Sequence, residues 1–290
     1  MPSLTNPIPT PAQPYPYLPN HSPPLSADAP WGEDASGVAV LDGLLTPAEA
    51  GDLLTALTAP GWDHAAGPPP ATWDKGTVDR DGDSPTYGVK PEVVAGLVAS
   101  PPPALAALES RLCALYRDDY DLAYMPAAAV DAGLSSVVAN AVCVGDACAW
   151  HADADPLAAD PDGPWAEHWG LYPNRTPGKP LFVSALVYLN PDWPLECNAE
   201  TLFLDGEAGI GLAVRPRPGR VVLMDQDVAH RICEPSRAAA VPRYSLVLKL
   251  VFYPRPRAGG AAAAAGVLQP EWGEPLRLGS ASRRGPVPLA

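Results

Sequence analysis

PLFVSALVYLN, Pro180 to Asn190, and RYSLVLKLVFY, Arg243 to Tyr253, are the two longest of a series of short β-rich runs that begins at about Val137. SSVVANAV and ACAWHAD precede them, and AETLFLD, GLAVRP and GRVVLMD lie between them. Apolar residues with strong sheet preference dominate these runs, and turns rich in Gly, Pro or Asp punctuate them, so the chain reverses at short intervals. That pattern predicts an antiparallel sandwich or barrel, not a doubly wound sheet. No G-x-G-x-x-G follows a strand, no P-loop is present and no repeat period is visible, so nucleotide-binding and solenoid readings lack their motifs.

Upstream of these runs the pattern is helical, with one strand in front. GVAVLDG, Gly37 to Gly43, reads as a short apolar strand. Thr46-Pro47-Ala48-Glu49 has the form of a capping box with proline at the first helical position, and it starts a helix through Leu53, Leu54 and Leu57. Leu105, Leu108, Leu112 and Leu115, spaced by three and four, make the buried stripe of a second helix. The expected organisation is a proline-rich arm over residues 1–30, one domain over 31–257 and a disordered tail over 258–290. Within the domain, helical support fills 31–130 and the β-core fills 131–257. The chain has 290 residues and is 47% hydrophobic, enough for one substantial core.

Charge and cysteine usage narrow the function. A net charge of -14 opposes attraction to phosphate backbones, so nucleic acid is a disfavoured partner. The cysteines, at Cys113, Cys143, Cys148, Cys197 and Cys233, are odd in number and include no C-x-x-C pair, which fits reduced thiols in a reducing compartment. No secretory leader is recognisable and no apolar run reaches the roughly 18 residues of a membrane span. The expectation is a soluble, cytoplasmic protein without a membrane partner, with organelle targeting and oligomeric state left open.

Trp150-His151-Ala152-Asp153 is the strongest local feature. In an extended segment residues two apart share a face, so His151 and Asp153 can point at one ion. His230, in LMDQDVAHRI, is the third candidate, brought close by a sheet that folds back on itself. Two imidazoles and one carboxylate leave coordination positions open, as in non-haem Fe(II) oxygenases, whereas a structural zinc site would close its fourth position with protein. Taken singly, His151 and Asp153 also read as a common surface pair and His230 as a hydrogen-bonded turn residue. Arg243 begins the last strand thirteen residues after His230, where its guanidinium can face the same cavity and grip a carboxylate with two parallel bonds. By itself it reads as an exposed strand flank.

In order along the chain stand His151-Ala152-Asp153, Tyr188-Leu189-Asn190-Pro191-Asp192-Trp193, Ala199-Glu200-Thr201-Leu202-Phe203, His230 and Arg243-Tyr244. With these in register, the run from Asn140 to Phe252 resembles the prolyl-4-hydroxylase-like branch of the Fe(II)/2-oxoglutarate-dependent dioxygenase superfamily. Two departures stand out: Asn198-Ala199 replace two small glycines before Glu-Thr, and the interval from His230 to Arg243 is somewhat long. The resemblance implies a mainly β fold with supporting helices (α+β), its core a double-stranded β-helix, or jelly roll, preceded by an N-terminal strand and helices. It also implies Fe(II) on His151, Asp153 and His230, with 2-oxoglutarate as co-substrate on Arg243 and the Tyr188 hydroxyl. The same resemblance implies O2 as the oxidant and allows ascorbate as a reductant that keeps iron reduced. The implied reaction hydroxylates a C–H bond with release of succinate and CO2, on a peptidyl, prolyl-type substrate. The alternatives are a small metabolite, a nucleobase, or a non-catalytic jelly-roll binding module. Asp155 to Pro180 is a long insert carrying Trp165, Trp169, Tyr172 and Arg175, and reads either as a substrate lid or as a loop folded onto a surface groove.

Overall fold

A computed structural model of the chain describes residues 15–16, 37–58, 67–75, 86–117, 119–126, 136–146, 148–205 and 210–255. The expectations for the arm, apart from residues 15–16, and for the tail lie outside the described residues. The capping box forms as the sequence predicts. The Thr46 backbone N–H donates to Glu49 Oε2 at 2.8 Å, and the Glu49 N–H donates to Thr46 Oγ1 at 3.2 Å. These bonds satisfy donors that the first helical turn leaves over, and they start α1 (Pro47–Thr58). Helices α2 (Pro91–Ala99) and α3 (Pro103–Tyr116) follow, each entered through a proline. No single helix among the described residues is long and apolar enough to cross a membrane.

The strands are β1 (Tyr15–Pro16), β2 (Val38–Leu41), β3 (Trp73–Lys75), β4 (Tyr87–Val89), β5 (Tyr120–Tyr124), β6 (Val137–Val142), β7 (Leu181–Tyr188), β8 (Thr201–Asp205), β9 (Ile210–Val214), β10 (Val221–Asp225), β11 (His230–Ile232) and β12 (Arg243–Pro254). Nine of them form one sheet in the order β1-β2-β10-β7-β12-β6-β4-β3, with β5 also on β12. Strand β12 is long enough to pair β7 along one edge and β6 then β5 along the other. Strands β11, β8 and β9 form a second sheet. All the pairings are antiparallel, and the fold is mainly β with supporting helices, its core a jelly roll.

Period-two alternation sorts the major sheet into two faces. Leu181, Val183, Ala185 and Val187 of β7, with Tyr244, Leu246, Leu248, Leu250 and Phe252 of β12, pack against Leu53, Leu57, Leu105, Leu108 and Leu112 of the helices. The other face turns Leu186, Tyr188, Val222, Met224 and Val247 toward Phe203, Leu212 and Val214 of the second sheet. Functional residues therefore belong on the odd positions of β12 and the even positions of β7, between the sheets.

Two expectations are corrected here. The segment 31–130 is not helical apart from its leading strand: β3, β4 and β5 within it widen the major sheet, because β6 and the far half of β12 leave an edge that needs partners. Among the described residues of ACAWHAD, 148–153, no strand forms. His151 alone makes a β-bridge there, after the turn at Gly145, whose φ of 89° suits glycine. Asn198 and Ala199, where the resembling family carries glycines, take φ values of 56° and 62°. The left-handed turn is thus kept without glycine, at a cost in backbone strain.

Hydrogen bonding to Arg111 is the main cause that holds the Glu49 carboxyl down at about 2, against a smaller upward push from burial. A carboxyl depressed on folding contributes stability above its unfolded pKa and loses it as pH falls through its folded pKa. The wild-type chain is therefore expected to exceed Glu49→Gln by about 0.5–1 kcal/mol at neutral pH, after discounting for solvent screening of this half-exposed pair. Urea unfolding across the acid range checks it: the gap should close between about pH 4.5 and pH 2.

Candidate metal centre

His151 and His230 are joined backbone to backbone. The His151 N–H donates to the His230 carbonyl at 3.0 Å, and the His230 N–H donates back to the His151 carbonyl at 2.9 Å. This reciprocal pair sets the two rings beside each other, with centroids 4.4 Å apart. Asp153, two residues on, faces the same space, and the Ala154 N–H extends the seam to the Gln226 carbonyl at 3.0 Å. One ligand atom from each of His151, Asp153 and His230 lies within 4.8 Å of the others.

Each imidazole is oriented through its inner nitrogen. His151 Nδ1 lies 3.0 Å from the Ala149 carbonyl, and His230 Nδ1 lies 3.0 Å from the Val228 carbonyl. A carbonyl only accepts, so each Nδ1 carries the proton and each Nε2 keeps a free lone pair. Burial pushes His230 down to about 4, which keeps it neutral, the form a metal takes. Burial also disfavours charge on His151, but bonds to Cys148 and the Ala149 carbonyl outweigh it and move its pKa upward. Burial alone would raise the Asp153 carboxyl. The Lys249 ammonium and His230 overcome this, and the Lys249 and Ser184 bonds help hold it well below the usual carboxylate range. Ser184 Oγ donates to Asp153 Oδ2 at 2.5 Å, and Lys249 Nζ pairs with Oδ1.

Arg243 stands on the same inner face of β12, six residues before Lys249, and is 0% exposed. Its Nη2 donates to Thr201 Oγ1 at 2.8 Å and its Nη1 to Ser245 Oγ at 3.2 Å. The guanidinium carbon sits 4.7 Å from the Tyr188 ring centre, and the Tyr188 hydroxyl shares Thr201 Oγ1 at 2.9 Å. Its Nε has no hydrogen-bond partner, and no carboxylate among the described residues pairs with it. Burial accordingly pulls its pKa down. Hydroxyls and a ring face are the companions of a buried cation that is still short of an anion.

The insert is anchored. Trp165 and Trp169, on the short helix α4 (Pro164–Trp169), pack on Phe182 with ring centres 4.4 and 4.9 Å away, and Tyr172 joins the same buried cluster with Val251. Asn174 exchanges two hydrogen bonds with the Phe182 backbone at 2.9 and 3.0 Å. The Arg175 guanidinium pairs with Asp225, their side chains 1% and 0% exposed. Gly37 lies flat against that guanidinium, where a Cβ would fall 1.5 Å from Nη2, so any side chain there would displace the clamp. A lid built from Trp165, Trp169, Tyr172 and Arg175 would have to break the pair with Asp225 and expose this cluster in order to open. Ser184, Ser245 and Lys249 line the candidate site without standing in any of the motifs, and Thr201 stands in one without a role read from it. For Lys249 a signal existed, since a lysine inside LVLKLVF at the parity of Arg243 points between the sheets.

Replacing the uncompensated guanidinium by a flexible apolar chain removes a buried charge. Arg243→Met is expected to leave the ligand-free protein between equally stable and about 2 kcal/mol more stable. Urea denaturation measures this, and a large loss of stability would mean that the guanidinium has an internal anion.

No family model matches the sequence and no curated protein matches it. In fold the chain is similar to solved oxygenases. A prolyl-4-hydroxylase from Pseudomonas putida aligns at 16% identity over 75% of this chain and 93% of that one, with a TM-score of 0.42. A prolyl hydroxylase from Trichoplax adhaerens, solved in complex with a hypoxia-inducible factor peptide fragment, aligns at 14% identity over 75% and 83%, with a TM-score of 0.46. EvdO2 from Micromonospora carbonacea var. aurantiaca, complexed with 2-oxoglutarate, aligns at 13% identity over 79% and 92%, with a TM-score of 0.42.

Proposed function

We propose that this chain is an Fe(II)- and 2-oxoglutarate-dependent oxygenase. His151, Asp153 and His230 hold the iron, and Arg243, with Tyr188 and Thr201 beside it, holds the distal carboxylate of 2-oxoglutarate. One observation carries the reading. A half-buried His151 with buried Asp153 and His230 shares the space between the sheets with a buried guanidinium that has no carboxylate partner among the described residues. The donor set fits ferrous iron with open positions, and the unpaired cation fits a dicarboxylate anchored by its far end.

Bound iron with 2-oxoglutarate and O2 supplies the oxidising power that inserts one oxygen atom into a C–H bond, with release of succinate and CO2. The protein's share is placement and exclusion. Hydrogen bonds from Nδ1 fix both imidazoles with Nε2 presented, and Ser184 fixes the rotation of the Asp153 carboxylate. Phe203, Leu212, Val214 and Val247 line the space with apolar surface and keep bulk water away. No nucleophile and base pair is needed. The ordered motifs from His151 to Tyr244 support a peptidyl, prolyl-type substrate for the proposed hydroxylation.

An anaerobic titration of the full chain with Fe(II) and 2-oxoglutarate, followed by oxygen and a succinate assay, tests this. The wild type is expected to develop a weak visible charge-transfer band and then to form succinate, and His230→Ala or Asp153→Ala should lose both. Arg243→Ala should keep the band but need about a hundredfold more 2-oxoglutarate. A folded wild type with neither band nor succinate would contradict the reading.

A further inference from the structure

We infer that Lys249 is a positioning residue that occupies Asp153 until a metal arrives, so that metal uptake is an exchange of an ammonium for a divalent ion. The inference rests on the metal centre proposed above. Lys249 lies within the apolar run of β12, its side chain only 4% exposed, and a lysine this deep is rare unless it is paired. In the sheet it stands opposite Ser184 on β7, and both reach the same carboxylate: Ser184 takes Oδ2 and Lys249 takes Oδ1. Both oxygens of the one anionic ligand are therefore engaged in the metal-free chain. His230, from β11, is near enough for the ammonium to act on it electrostatically. The ammonium thus sits against the ligand cluster with which a metal would have to bond.

Formal charge shows why it is there. A divalent ion, Asp153, Arg243 and a dicarboxylate co-substrate sum to zero without Lys249, so the loaded site does not need the lysine for balance. The empty site does: Asp153 is a buried carboxylate beside two imidazoles, and without a cation it would be an uncompensated charge. Lys249 supplies that cation and holds the carboxylate turned toward the histidines. An incoming ion must take over Oδ1 or share it, while being repelled by the ammonium, so the lysine lowers metal affinity.

Mn(II) titration of the metal-free full-length chain under anaerobic conditions, followed by calorimetry and thermal melting, tests this without turnover. Lys249→Met is expected to bind Mn(II) on the order of tenfold tighter than wild type. Its metal-free form should melt several degrees lower, and the difference should vanish once Mn(II) is bound. Lys249→Gln keeps a donor for Oδ1 without the charge and is expected to show the same gain in affinity, which serves if the Met variant does not fold. Unchanged or weaker Mn(II) binding in the folded variants overturns the exchange, since a lysine that merely braced the strand would not oppose the metal. His230→Ala separates the two failures. If it binds Mn(II) as wild type does, the metal centre itself is wrong. If it loses binding while both Lys249 variants match wild type, only the exchange is wrong.

Discussion

Two backbone hydrogen bonds between His151 and His230 hold the site together. They join a loop that leaves the major sheet after β6 to the first residue of β11 in the minor sheet, so the two imidazoles are fixed where the sheets meet. Asp153 follows by local geometry, and the Ala154 bond to Gln226 carries the seam into the turn after β10. A shift of one residue in this short register would turn one ring to the opposite face and dismantle the cluster. The bridge is short, but the partners of both its ends are held elsewhere. β11 is paired to β8, and β10 lies between β2 and β7.

Buried charge is arranged in two places with different outcomes. Arg175 and Asp225 close on each other at the end of β10 and pin the insert there, beside Gly37. Between the sheets, Arg243 and Lys249 project from one strand. One meets hydroxyls and a ring, and the other meets the Asp153 carboxylate of the candidate metal cluster. An internally satisfied pair reads as architecture. A deeply buried cation whose hydrogen-bond companions are hydroxyls is a candidate for one end of a ligand site, because no carboxylate among the described residues pairs with it.

Much of this was legible in the sequence, and the gaps have physical causes. The strands from Leu181 onward carry their own signal, because alternation and β-branched content act within a few residues. The Thr46–Glu49 cap was readable for the same reason. Strands β3 and β4 span three residues each and are formed by the edge they cover, so a local pattern could not reveal them. Spacing points to His151, Asp153, His230 and Arg243, and the family resemblance adds Tyr188; the structure groups the first three and sets Arg243 over the Tyr188 ring. The Arg175–Asp225 pair, fifty residues apart, and the Thr201 bridge between Tyr188 and Arg243 depend on register between strands, which no single stretch encodes. Parity alone places Lys249 on the face of Arg243.

The central claim is that His151, Asp153 and His230 surround one ferrous ion. Anomalous diffraction at the iron edge, from crystals of the full chain grown anaerobically with Fe(II), tests it most directly. The account predicts a single strong peak bonded to both Nε2 atoms and to one oxygen of Asp153. A peak elsewhere, or none at this cluster in iron-replete crystals, would contradict it.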